Sequence, residues 1–239
     1  MPRSVADLES TLRRETALKR ICAELNHFVD LHDALRVVIR QVQALSRCEA
    51  VSVRLRDGDD YPYFAHDGFS QTFIERENSL CSKDRSGQRI LDQRSGACEL
   101  DCMCGNVIRG RTDPDLPFFS TKGSFWTNDT DALLAETGEE DRQGRTRNYC
   151  NSCGYRSVAL VPIRTEGEII GLIQLNDHQR GRFNNELIEF LQMVGEQVGL
   201  AVRNSMTHTR LRQSLEEIRV LRGILPICAH CKRIRDEQD

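Results

Sequence analysis

The period of the hydrophobic positions changes along the 239-residue chain and divides it into helical and extended stretches. From Val5 to Phe28, Leu8, Leu12, Leu18, Ile21, Leu25 and Phe28 recur at steps of three or four residues or their sums, with charged residues between them, and predict an amphipathic helix. A second helix is predicted over Leu31–Ser46, with Leu35, Val38, Ile39, Val42 and Leu45 on one face and Asp30 or Asp33 as its cap. The period then becomes two. Ala50–Arg56 alternates small or apolar with polar residues and reads as a strand, Asp57–Asp60 as a turn, and Tyr61–Ala65 as the returning strand of a hairpin. Phe69–Glu77 has the pattern of a short helix.

Cys81 to Cys153 is irregular and rich in Gly, Asp, Arg and Cys. Within it, Cys104–Ile108 reads as a short element, Ser124–Thr127 as a strand and Asp131–Ala135 as a helical turn. Phe118, Phe119, Phe125, Trp126, Tyr149 and Tyr155 argue that this stretch is ordered and contributes to the core. Two strongly apolar strands follow, Ser157–Ile163 and Glu168–Asn176, around a Glu166-Gly167 turn. Asn184–Arg203 is an amphipathic helix that continues without a breaker to about Gly223. Leu211, Ile218 and Leu225 are spaced by seven, with Leu215 and Leu221 between them, a short heptad seam.

Composition narrows the function classes. No apolar run approaches the roughly 20 residues that span a bilayer, and Met1–Arg14 lacks the apolar core of a secretory signal. A net charge of −3 gives no reason to expect binding to nucleic acid or a membrane surface, although Arg219, Arg222, Lys232, Arg233 and Arg235 make the end locally basic. A cytoplasmic protein is expected, in which thiols are reduced and a structural disulfide framework is not. That expectation shifts attention to the cysteines. Of the 10 in the chain, Cys81, Cys98, Cys102, Cys104, Cys150 and Cys153 fall in the irregular stretch. Thiolates gathered in this way serve a metal, an iron–sulfur cluster or a redox relay. On an extended backbone Cys102 and Cys104 would share one face, and Gly105 would let the chain turn beside a bound ion. Cys150-Asn-Ser-Cys153 is a Cys-x-x-Cys pair, able to ligate or to exchange disulfides, and Cys98 is a spare ligand or resolving thiol. Cys228-Ala-His-Cys231 is a second such pair, which two chains side by side could combine into one site.

Ser157–Asp177 followed by an amphipathic helix resembles the closing half of a GAF domain, and the resemblance runs from near Asp30 to about Asn204. Leu80-Cys81, Cys102–Val107, Pro117–Phe119, Gly123–Asn128 and Arg145–Cys150 are similar to a cysteine-bearing GAF subgroup of bacterial sensory proteins. Gly223–Asp236 resembles a segment that joins coiled-coil linkers to other modules of signalling proteins. The resemblance implies an α+β fold, a central antiparallel sheet with helices on one face and a ligand pocket on the other, between long terminal signalling helices. It implies an N-terminal helix over 1–29, a GAF domain over 30–204 with a cysteine-rich insertion at 81–153, and a coiled-coil helix with a Cys-x-x-Cys tail over 205–239. The four cysteines matching the subgroup, Cys81, Cys102, Cys104 and Cys150, are the expected metal ligands, for either Zn²⁺ or an iron–sulfur cluster.

The function expected is a non-enzymatic sensory module that relays redox or small-molecule signals through paired helices of a homodimer to a kinase, cyclase or phosphatase. No kinase ATP-binding motif is visible in the chain. The alternatives are a small-ligand reader, for example of a cyclic nucleotide, with a structural zinc, and a thiol-dependent methionine sulfoxide reductase, since some GAF domains carry that activity.

Overall fold

The computed structural model of the protein describes residues 5–28, 30–93 and 96–224. Five strands form one antiparallel sheet: β1 (Ala50–Leu55), β2 (Tyr63–Asp67), β3 (Phe125–Thr127), β4 (Ser157–Thr165) and β5 (Glu168–Asp177), in spatial order β2-β1-β5-β4-β3. The helices are α1 (Val5–His27), α2 (Leu31–Ser46), α3 (Gln71–Glu77), α4 (Cys102–Ile108), α5 (Thr130–Glu136), α6 (Tyr149–Ser152) and α7 (Asn185–Ile224). Among the described residues, the chain up to Ala201 is one compact unit, and the remainder of α7 from Val202 belongs to a second. No described helix is long and apolar enough to cross a membrane.

The predicted elements have local causes. Asp30 caps α2 by accepting from the Asp33 backbone N–H at 3.0 Å, and Arg47 ends the helix in a left-handed conformation with φ 57°. Between the caps, Leu35, Val38, Ile39 and Val42 form the buried stripe that the periodicity predicts. β2 begins at Tyr63, two residues later than the hairpin pattern suggests, because the Tyr61 N–H is taken by the Asp60 carboxylate at 2.8 Å. β4 and β5 pair along nearly their whole length, and β5 also pairs with β1, setting Ser52 opposite Gln174 and Gln174 opposite Leu160.

Alternation sorts the strands into two faces. Ala50, Leu172, Val158, Leu160 and Phe125 belong to one apolar cluster, shared with α3, α4 and the cysteine-rich stretch. Val51, Val53, Ile173, Leu175, Ala159 and Val161 point the other way, toward α2, which contacts β1 and β2, and toward α7. Gly195 and Gly199 let α7 lie directly on β4: a Cβ at either position would meet the Pro162 or the Arg164 carbonyl oxygen.

Candidate functional site

The cysteine-rich stretch folds over the face of the sheet opposite α2 and α7, and a buried arginine holds its entrance. Arg54 of β1 is fully buried; its guanidinium donates to the carbonyls of Tyr61 (2.8 Å), Glu77 (2.5 Å) and Asn78 (3.1 Å) and lies 3.5 Å from the centre of the Tyr63 ring. These bonds fix the end of α3 and the turn from which Cys81 departs. Backbone pairing sets Cys81 opposite Leu100 and Leu91 opposite Cys98. Cys81 and Cys98 are both buried and bonded to one another, with Cα atoms 5.7 Å apart, inside the range of about 4.4–6.8 Å that a disulfide spans. Reduced thiols were expected from the sequence; the folded-back hairpin instead puts two cysteines 17 residues apart at bonding distance.

Cys102 and Cys104 lie in the first turn of α4, which corrects the extended geometry expected from their spacing. Gly105 accounts for part of the difference. It packs against the Leu100 backbone, where a Cβ would sit 2.8 Å from the Leu100 carbonyl carbon, so the chain turns into a helix immediately after the hairpin. Cys102 adopts a positive φ of 69°, and its sulfur meets that of Cys104 although residues two apart on a regular helix point to different sides. Arg147 braces this corner. Its guanidinium donates to the Ser79 carbonyl at 3.0 Å and pairs with Glu77 at 3.5 Å and Asp101 at 3.6 Å, while its backbone N–H reaches Cys102.

Cys150 approaches from α6. Gln174 of β5 reaches its sulfur at 3.8 Å while donating to Asn176 Oδ1 at 3.1 Å, and Gln174 Oε1 accepts from the Tyr63 hydroxyl at 3.2 Å. Cys102, Cys104 and Cys150 thus border one cavity of about 60 Å³, closed by apolar side chains such as Met103, Phe125, Leu133 and Leu160. Thr146 Oγ1 and Arg142 Nε, both on this cavity, are buried with no hydrogen-bond partner among the described residues.

The three pocket thiols are electrostatically unequal. The hydrogen bond from Cys104, helped by the backbone N–H groups and the charge of Arg147, pulls Cys102 down to about 6 against the opposing effect of burial. Donating that bond keeps Cys104 a thiol, well above its usual range. Burial, and then the Cys102 charge, do the same for Cys150. Cys48, buried elsewhere, shows the ordinary outcome: desolvation lifts it to about 11. The Glu77 carboxyl is raised by burial and by the nearby Cys102.

A tetrahedral four-thiolate site places every sulfur about 2.3 Å from a common centre. Among the described residues, Cys102, Cys104 and Cys150 are not all within 4.8 Å of one another, and Cys81 is committed to Cys98. Three of the four expected ligands therefore share a cavity, and the fourth is held on the adjoining hairpin. Cys228 and Cys231 lie outside the described residues, as does Leu225 of the heptad seam.

Sequence reasoning left Cys98 open between a spare ligand and a resolving thiol, and the pairing of the hairpin gives it Cys81 as its partner. His178 belongs to no motif in the sequence, yet its Nδ1 contacts Glu49 Oε2 at 2.7 Å, its Nε2 the Cys153 carbonyl at 3.2 Å, and its ring lies 4.4 Å from that of Tyr155. It ties the segment after Cys150 to the start of β1, and the Glu49 carboxylate raises its pKa.

Comparison with known proteins agrees with this architecture. No curated protein matches the chain in sequence. Among solved structures, the GAF domain of a phosphoenolpyruvate-protein phosphotransferase from Coxiella burnetii aligns over 83% of this chain and 98% of its own, with 14% identity and a TM-score of 0.56. Free methionine-R-sulfoxide reductase from Neisseria meningitidis, in complex with its substrate, aligns over 87% and 96%, with 15% identity and a TM-score of 0.55. A domain of a two-component sensor histidine kinase protein from Sinorhizobium meliloti 1021 aligns over 78% and 99%, with 14% identity and a TM-score of 0.51. At these identities the likeness establishes the fold. With the sheet, its helix-covered face and the cavity on the opposite face in place, the match of residues 30–202 to the GAF domain model makes this chain a member of the GAF domain family.

Proposed function

We propose that this GAF domain is a non-enzymatic sensory module whose signal is received at the cysteine-lined cavity and passed on through paired helices. The observation that carries this reading is the placement of Cys102, Cys104 and Cys150 along one largely apolar cavity, with Cys81 and Cys98 in the hairpin alongside. Sulfur donors in a largely apolar pocket suit a soft cation, Zn²⁺ or the iron of an iron–sulfur cluster. Cys102, Cys104 and Cys150 would hold it from the pocket wall and Cys81 from the hairpin. An iron–sulfur cluster there would make the domain responsive to redox state, and Zn²⁺ would staple the loop. The chain's own contribution is to supply one thiolate at Cys102, to orient it through Arg147 and to exclude water.

The size of the cavity favours this reading over its alternatives. About 60 Å³ is far below the roughly 300–1,000 Å³ of pockets that enclose drug-sized ligands. A cyclic nucleotide or a free amino-acid sulfoxide would need a wider cavity than this one. Output by helix pairing is supported by Leu211, Leu215 and Ile218 of α7, which are all exposed at four- and three-residue spacing. A second copy of this chain in parallel register would cover them, and a kinase, cyclase or phosphatase would receive the change.

Purification without oxygen, followed by metal and acid-labile sulfide analysis and a visible spectrum, tests the proposal. The expected result is a stoichiometric metal or cluster in the wild type that is lost in Cys102→Ser/Cys104→Ser. Metal-free protein whose melting temperature rises instead with a nucleotide would overturn it.

A further inference from the structure

We infer that Cys98 belongs to the cysteine site as the exchange partner of Cys81: bonding to Cys98 withdraws the fourth sulfur from the pocket thiols, and reduction returns it. The inference rests on the proposal above that Cys102, Cys104 and Cys150 bind a soft metal. Its own support is positional. Cys81, Cys98 and Cys104 belong to one apolar cluster, and Cys150 packs against it. The strand carrying Cys81 runs beside the residue before Cys102, since the Asp101 N–H donates to the Leu80 carbonyl at 2.8 Å. Arg147 spans the same gap, from the Ser79 carbonyl to Cys102. Cys81 therefore follows directly on the residue that pairs with Asp101, while its sulfur is bonded to Cys98.

Cys98 is anchored independently of that bond. Arg109, just after α4, donates to the Cys98 carbonyl at 2.7 Å. The backbone can thus keep Cys98 in place while Cys81 changes partner. Residues 83–93 of the hairpin are exposed, so the segment that must open for exchange lies at the surface. A sulfur in a disulfide is no longer a thiolate ligand, so Cys81 serves Cys98 or a metal but not both.

The chemistry requires an external oxidant of the low-molecular-weight disulfide class, R–S–S–R. The Cys98 thiolate attacks one sulfur of R–S–S–R, forming a mixed disulfide and expelling RS⁻. The Cys81 sulfur then attacks Cys98 Sγ, closing Cys81–Cys98 and expelling the second RS⁻. Two electrons pass from the protein dithiol to the small disulfide, and the two thiol protons leave with the products as RSH. Once Cys81 is bonded to Cys98, only Cys102, Cys104 and Cys150 would remain to hold a metal.

Co²⁺ is the probe for this exchange, because its thiolate charge-transfer absorbance reports sulfur ligation directly. Full-length wild type, Cys98→Ala and Cys81→Ser are titrated with Co²⁺ after equilibration with reduced or oxidised glutathione. Alkylation and mass spectrometry of the same samples count the Cys81–Cys98 bond, and Cys98→Ser serves if the alanine variant folds poorly. Oxidised glutathione should weaken Co²⁺ binding to the wild type by at least the roughly tenfold to hundredfold that loss of a metal's supporting contacts costs. Cys98→Ala should bind equally in both buffers, and Cys81→Ser weakly in both. Unchanged affinity of oxidised wild type with the disulfide trapped, or no disulfide formed by oxidised glutathione, overturns the inference alone. No Co²⁺ ligation by the reduced wild type overturns the metal-binding proposal and the inference with it.

Discussion

On the helix side of the sheet, Val51, Val53, Ile173, Leu175 and Val161 are buried against elements that present Leu35, Val38, Ile39, Leu191, Val194 and Val198. On the other side, the same strands carry Ser52, Arg54, Gln174 and Asn176, all buried, and a stretch with six cysteines folds over them. The first face is held by non-directional apolar contact. The second is held by directional bonds, such as Arg54 to three carbonyls and Gln174 to Tyr63, Asn176 and Cys150. Ser52 Oγ, Arg54 Nε and Asn176 Nδ2 on this face already lack partners among the described residues, so the network has little to spare when another bond is lost. A change in sulfur chemistry at Cys102 or Cys81 is therefore expected to disturb one face and leave the other in place. That asymmetry is what the proposed sensor needs: a scaffold that persists and a wall that responds.

The largest test of this contrast is Arg54→Met, which keeps most of the volume but removes the donors. Leaving three buried carbonyls unmet is expected to cost about 3–5 kcal/mol in urea unfolding, and to abolish any redox dependence of the fold. Ile173→Val on the helix face should cost only about 0.5–1.5 kcal/mol and leave thiol reactivity unchanged. Equal losses from the two substitutions would erase the distinction between the faces.

A third prediction concerns pH. Because the folded Cys102 lies near 6 instead of 9.0, its contribution to stability is fully present above the unfolded value and is lost as pH falls through about 6. Ultraviolet thiolate absorbance should show a step near that pH, absent in Cys102→Ser and displaced upward in Cys104→Ser. The smallest effect belongs to His178. Its pKa is raised by Glu49, so its contribution is present below the unfolded value and is lost as pH rises through the folded one. The pair is half exposed, and His178→Gln should cost no more than about 1 kcal/mol after solvent screening, most visibly at acidic pH.

The helix face was legible in advance because its signals are local. The α2 stripe and its Asp30 cap, and the two apolar strands that became β4 and β5, are all written in contiguous residues. The implied arrangement of helices on one side and a pocket on the other also stands. The responsive face was legible only in its ingredients. Its cysteines could be named, but whether Cys102 and Cys104 sat on a strand or a helix depended on Gly105 meeting Leu100. The partner of Cys81 depended on the register of a hairpin, and the role of His178 on Glu49, 129 residues away. Directional contacts between residues distant in sequence leave no periodic trace.

Hydrogen–deuterium exchange, compared between reduced protein and protein equilibrated with oxidised glutathione, tests the central claim most directly. The account predicts changed protection confined to residues 79–109, 146–155 and the β4–β5 segments beneath them, with α2 unchanged. Protection that is identical in both states, or that changes equally in α2, would contradict a responsive cysteine face on a fixed scaffold.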